Sequence, residues 1–156
     1  MPNLTNNFIL RTMALVVTFF MVPSKPAHAT LGGSAETVEH DRVHMKAVMR
    51  TQGGSGYTVH AMTAASGTSI REYVGLDGKV FAVTWSGPSM PDLRQLLGSY
   101  FSTYATEPIA RRNGHAHRQI ERADLVVRSS GHQRAFSGKA YVPSLLPTGV
   151  AIDELQ

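Results

Sequence analysis

Apolar positions along the chain follow three patterns, and each predicts a different element. The first is an unbroken run, Met13 to Val22, in which only Thr18 is polar. The second is a set of short β-rich segments: Tyr57–Ala65, Thr68–Val74, Lys79–Trp85, Asp124–Ser130 and Arg134–Val142. Ser66-Gly67, Asp77-Gly78 and Gly131-His132 separate them, the spacing of strands joined by tight turns. The third is a helical stripe. Leu93, Leu96, Leu97, Tyr100, Phe101 and Tyr104 fall at i, i+3, i+4, i+7, i+8 and i+11, so they share one face of a helix. Ser89 is placed to cap it, with Pro91 and Asp92 in or near its first turn.

A weaker helix is predicted over Ser34–Arg50. Ser34 is its cap, Glu36 and Glu39 lie early, and Arg42, Lys46 and Arg50 lie late, as the helix dipole favours. Its apolar stripe is partial (Val38, Met45, Val48, Met49), so it covers a surface. Gly53, Gly54 and Gly56 follow as a link. Ala105–Arg122 reads as a polar, basic loop, and the tail after Pro143 as irregular, pinned by Leu145 and Leu146. The expected fold is α+β. An antiparallel sheet of about five strands, in the order α-β-β-β-α-β-β, carries the amphipathic helix packed on one face.

Two-residue turns would set a register in which Val59 faces Val74, Ala61 faces Glu72, Glu72 faces Val83, Val74 faces Phe81 and Ile70 faces Trp85. Glu72 then shares the apolar face with Phe81 and Trp85. An unpaired buried carboxylate costs several kcal/mol or takes up a proton. Glu72 therefore requires a partner, a place at the sheet margin, or a bulged turn that rotates it outward. The charge pattern points to an ion pair with Arg94 first and Arg134 second. A catalytic acid is the alternative.

The run at 13–22 is shorter than the roughly 20 residues a membrane span needs. Arg11 precedes it, Pro23 and Pro26 follow it, and Ala27-His28-Ala29 is a small-x-small site. That order predicts a secretory signal peptide over 1–29, cut after Ala29. It leaves residues 30–156 as one domain that is periplasmic or secreted and does not span the membrane. The absence of cysteine excludes disulfides and a lipoprotein anchor. The whole chain carries +4, but without the signal thirteen cations face eleven acids, a balance of +2. A nucleic-acid partner is not expected from so small an excess.

Candidate chemistry is sparse. Glu36, His40 and His44 form an i, i+4, i+8 stripe that could hold a metal ion. His115 and His117 lie in the basic segment, which could touch anionic envelope polymers or headgroups. No P-loop, G-x-G-x-x-G, G-x-S-x-G or H-E-x-x-H pattern occurs, so no cofactor is expected. Several strings are more informative: "LGG" at Leu31, "GYTVH" at Gly56, "REYV" at Arg71, "GKVFAVTWSGP" at Gly78, "PDLRQLLGSYF" at Pro91 and "GHQRAFSGKAYVPSLLP" at Gly131. Through them the chain resembles domain of unknown function family 2844, small exported proteins of proteobacteria; the segment Arg111–Arg122 lies outside the likeness. The resemblance implies an exported domain with no established activity, cofactor or catalytic residue. The expected function is a non-enzymatic module that binds a protein or envelope ligand. The alternatives are a small enzyme with Glu72, His132 and Arg134 in a cleft, and a metal-binding protein using His40 and His44. Trp85, Glu72, Arg94, His132 and Arg134 are the structural or binding candidates.

Overall fold

A computed structural model of the chain describes residues 31–112 and 115–155; the segment expected to be a signal peptide lies outside them. Helix α1 (Ala35–His44) leads into four strands, β1 (Val48–Gly53), β2 (Tyr57–Thr63), β3 (Ser69–Gly75) and β4 (Val80–Gly87). A broken helix follows, made of α2 (Leu93–Leu97), a 3₁₀ turn (Gly98–Tyr100) and α3 (Phe101–Thr106). Four more strands complete the sheet: β5 (Ala110–Arg112), β6 (His115–Glu121), β7 (Val126–His132) and β8 (Ala135–Tyr141). The order across the sheet is β1-β2-β3-β4-β8-β7-β6-β5, antiparallel at each junction. Each half is thus a helix followed by a four-strand meander, and the last strands of the two meanders meet at the centre.

The α+β class with an antiparallel sheet holds, but strand count and order are corrected. Seven strands of six to eight residues and the three-residue β5 replace the expected five. Strand β1 arises where a helix end was expected. Helix α1 stops at His44, Lys46 turns the chain at φ 49°, and the Ala47 N–H bonds Arg42 O at 2.9 Å. Strands β5 and β6 occupy the expected basic loop. Of the side chains described in β6 only Ile120 is buried, so the strand shows no apolar alternation to read.

The core lies between the helices and one face of the sheet. Val38 of α1 and Leu93, Leu96 and Leu97 of α2 pack on Ile70, Val83, Trp85, Val127 and Ala140. Tyr100, Phe101 and Tyr104 lie half-buried against this core, so the predicted stripe is real although Gly98, at φ 50°, breaks its helix. On the opposite face Tyr73, Phe81 and Ala82 pack with Leu155 of the tail.

Turn length decides which residues share a face. The β2–β3 turn has three residues, Ala65 to Gly67, closed by Ala64 N–H on Thr68 O at 2.9 Å, with Gly67 at φ 84°. His60, not Ala61, therefore faces Glu72, and β2 turns Tyr57 and Val59 toward the tail instead of the helices. The β3–β4 turn also has three residues, but a bulge at Tyr73/Val74 restores the two-residue register beyond it. Glu72 does face Val83 and Ile70 faces Trp85, while Val74 faces Val80 and Phe81 joins the tail cluster.

Capping also differs from expectation. Asp92, not Ser89, caps α2, accepting from Arg94 N and Gln95 N, while Ser34 precedes α1 without a side-chain cap bond. Asp92→Ala should cost about 1 kcal/mol in urea unfolding, the usual loss for a cap. Ser89→Ala should change little, because the Ser89 backbone, not its side chain, bonds Thr68 Oγ1.

Candidate functional site

The two faces of the sheet carry different chemistry. On the helix side Glu72 is 1% exposed and Asp41 of α1 0% exposed. The Glu72 carboxyl is hydrogen-bonded with Asp41; burial, then the Asp41 charge and this bond, hold it well above the usual carboxylate range. Gln95 Nε2 of α2 donates to Asp41 Oδ1. A protonated Glu72, a carboxylate on Asp41 and the Gln95 amide form a consistent chain of donors and acceptors. It ties both helices to β3. His60, opposite Glu72, shares a 3.2 Å hydrogen bond with Thr51, and burial lowers its pKa.

On the other face, cross-strand partners align into rows, because directly opposed residues project to the same side. One row runs Arg50, Ala61, Arg71, Thr84, Lys139, Arg128 and Gln119. The next row, two residues along each strand, runs Thr63, Ser69, Ser86, Ser137, Ser130 and His117. Four cations thus lie parallel to five hydroxyls. From Arg71 and Ser69 on β3 to Gln119 and His117 on β6, the two rows line an open groove of about 620 Å³; Arg50, Ala61 and Thr63 lie outside its lining. A second groove of about 530 Å³, toward the β7–β8 turn, shares Ser86, His117, Ser130 and Ser137 with it.

Acidic side chains border the groove. Lys139 Nζ donates to Ile152 O at 3.2 Å and lies 3.5 Å from Asp153 Oδ1, so the tail crosses one end. Arg128 pairs with Glu121 at 2.9 Å, both about half exposed, an arrangement worth little in water. Leu155 lines the rim.

The sequence-derived candidates are dispersed. Glu72 pairs with Asp41 and not with an arginine. The Arg94 guanidinium lies 4.5 Å over the Phe101 ring, and Arg134 is exposed in the β7–β8 turn at φ 63°. His132 and Arg134 line the second groove, but the sheet separates them from Glu72, so the three form no common cleft. Trp85 is core, and a Cβ at Gly138 would collide with its indole. Glu36, His40 and His44 are exposed on α1. Among the described residues no three His, Asp or Glu side chains come together to hold a metal. His117 ends the hydroxyl row; nothing is described of the His115 side chain.

Residues of the groove were missed as a set. Their signal is a hydroxyl and a cation two residues apart: Ser69 with Arg71, Ser130 with Arg128, Ser137 with Lys139. A period of two puts both on one face, but only the register shows that the strands line up.

Helices on one side of an antiparallel sheet, and a cationic, hydroxyl-rich groove on the other, define an α+β protein with one open sheet face. No helix among the described residues is long and apolar enough to cross a membrane. The chain belongs to the family described as Protein of unknown function (DUF2844), whose model matches residues 27–155. The match runs through the basic segment that the resemblance had left out. No curated protein and no solved structure matches the chain.

Proposed function

We propose that the protein is an exported, non-enzymatic module that binds an anionic ligand of the cell envelope on its open sheet face. The parallel rows of cations and hydroxyls carry this reading. Arginine and lysine supply charge-assisted hydrogen bonds, and the serines supply donors and acceptors at fixed positions. The two rows contain no acidic side chain among the described residues, and the two carboxylates that reach them, Glu121 and Asp153, are paired with Arg128 and Lys139. The order of charge, apolar run and small-residue site in the first 29 residues supports export.

Both halves are testable. Expressed with a C-terminal tag in a bacterium with a two-membrane envelope, the protein should appear in the periplasm, processed after Ala29. Unprocessed protein confined to the cytosol would refute export. For binding, the probe is dextran sulfate, a generic polyanion, titrated calorimetrically into the protein as purified from cells. Saturable binding is expected, weakening as salt rises. Arg128→Ser with Lys139→Ser should weaken it about tenfold or more, since a hydrogen bond to a charged group is worth about 1.5–3 kcal/mol. Equal affinity of the variant and the parent protein would remove the groove from the proposal.

A further inference from the structure

We infer that the groove takes a linear acidic glycan lying across the strands, its carboxylates over the cation row and its hydroxyls over the serine row. This rests on the anion-binding role proposed above and adds the ligand's class.

Row geometry sets the ligand's shape. Positions in a row are separated by the inter-strand spacing, about 4.8 Å, and the two rows by two residues of strand, about 6.8 Å. The rows cross β3, β4, β8, β7 and β6, so a matching ligand is extended and runs perpendicular to the strands. It presents acidic groups along one edge and neutral hydrogen-bonding groups along the other. A free phosphate or sulfate satisfies only the cation row. Single-stranded nucleic acid uses aromatic platforms, and neither row carries a Phe, Tyr or Trp side chain. Trp85 is buried in the core and Tyr73 under the tail. An acyl chain would need an exposed apolar floor, whereas the two large apolar residues of this lining, Trp85 and Leu155, are buried and the rest is chiefly serine, arginine and lysine.

Local chemistry favours carboxylate. Two carboxylates of the chain already approach the cation row, Asp153 at Lys139 and Glu121 at Arg128. A guanidinium matches a carboxylate through two parallel hydrogen bonds. Serine hydroxyls donate and accept, as sugar hydroxyls do; the 3.3 Å contact between Ser130 Oγ and Ser137 Oγ shows the row spaced for such exchange.

Short oligogalacturonate is the test probe, set against dextran sulfate of matched charge, neutral dextran, phosphatidylglycerol vesicles and oligothymidylate. Oligogalacturonate should bind about tenfold more tightly than dextran sulfate, a ratio equal to about 1.4 kcal/mol. Ser130→Ala with Ser137→Ala should weaken oligogalacturonate binding about tenfold, so that its preference over dextran sulfate is lost. These serines are on the open face, and unchanged thermal unfolding of the variant would confirm that it folds. If oligogalacturonate binds no better than dextran sulfate, the glycan inference fails while anion binding stands. Tighter binding of vesicles or oligothymidylate also overturns it. If no polyanion binds, both proposals fall.

Discussion

Replacing Glu72 by glutamine is expected to raise stability at neutral and alkaline pH and to change it little below about pH 4.5, where an unfolded Glu72 is protonated. The folded protein holds the Glu72 proton to higher pH than the unfolded chain, because of burial first and Asp41 second. The folded state therefore binds more protons, so stability falls as pH rises from about 4.5 toward the elevated folded-state pKa. Over that window one proton contributes a slope approaching about 1.4 kcal/mol per pH unit. Glutamine keeps a donor for Asp41 but cannot ionise, so its profile lacks this slope. His60 acts in the other direction: burial depresses its pKa, and its contribution is lost as pH falls. The Glu72 effect is thus read from the difference between the two proteins in urea unfolding across pH. Parallel profiles would show that Glu72 does not hold its proton in the folded state. Asp41→Ala, in contrast, should destabilise the protein even at low pH. It strips the bonding partner from both Glu72 and Gln95, and a buried polar group left without a partner costs about 1–3 kcal/mol.

Phe81→Ala should cost about 3–5 kcal/mol, the range for a buried phenylalanine, against a total of about 5–15 kcal/mol for a typical domain. Phe81 is 0% exposed. Its ring meets Tyr57 and Tyr73 at centroid distances of 5.9 and 6.1 Å, and its carbonyl accepts from Val142 N at 3.0 Å. Loss of the ring should loosen the tail first, because Leu155, Ile152 and Val150 pack into the same cluster. Hydrogen exchange should accelerate more in residues 143–155 than in α2. The reverse order would place Phe81 against the helices, where a simple two-residue turn would have put it. Leu76→Ala is the contrast: that side chain is 90% exposed, and the change should stay within about 0.5 kcal/mol.

Legibility of the fold followed the apolar pattern. Strands β2, β3, β4, β7 and β8 are β-rich runs separated by turn residues and were found. β1 exposes every side chain but Met49, and β6 buries only Ile120 among its described side chains, so nothing distinguished them from helix end and loop. The groove was illegible for a related reason. Its serines and cations are ordinary polar positions within each strand and become a site only when five strands set them side by side.

The chain alone determined that the central strands are joined by tight turns, that Leu93 to Tyr104 present one apolar face, and that a two-residue register sets Glu72 opposite Val83. Each follows from the period of a single element or of one hairpin. Tertiary structure decided the rest: the meeting of β4 with β8, the face taken by Phe81, and the buried partners of Glu72. Turn length and one bulge shift register by a residue, and a one-residue shift exchanges the faces of a strand. Gln95 and Asp41 meet across 54 residues of chain, a separation that no local pattern spans.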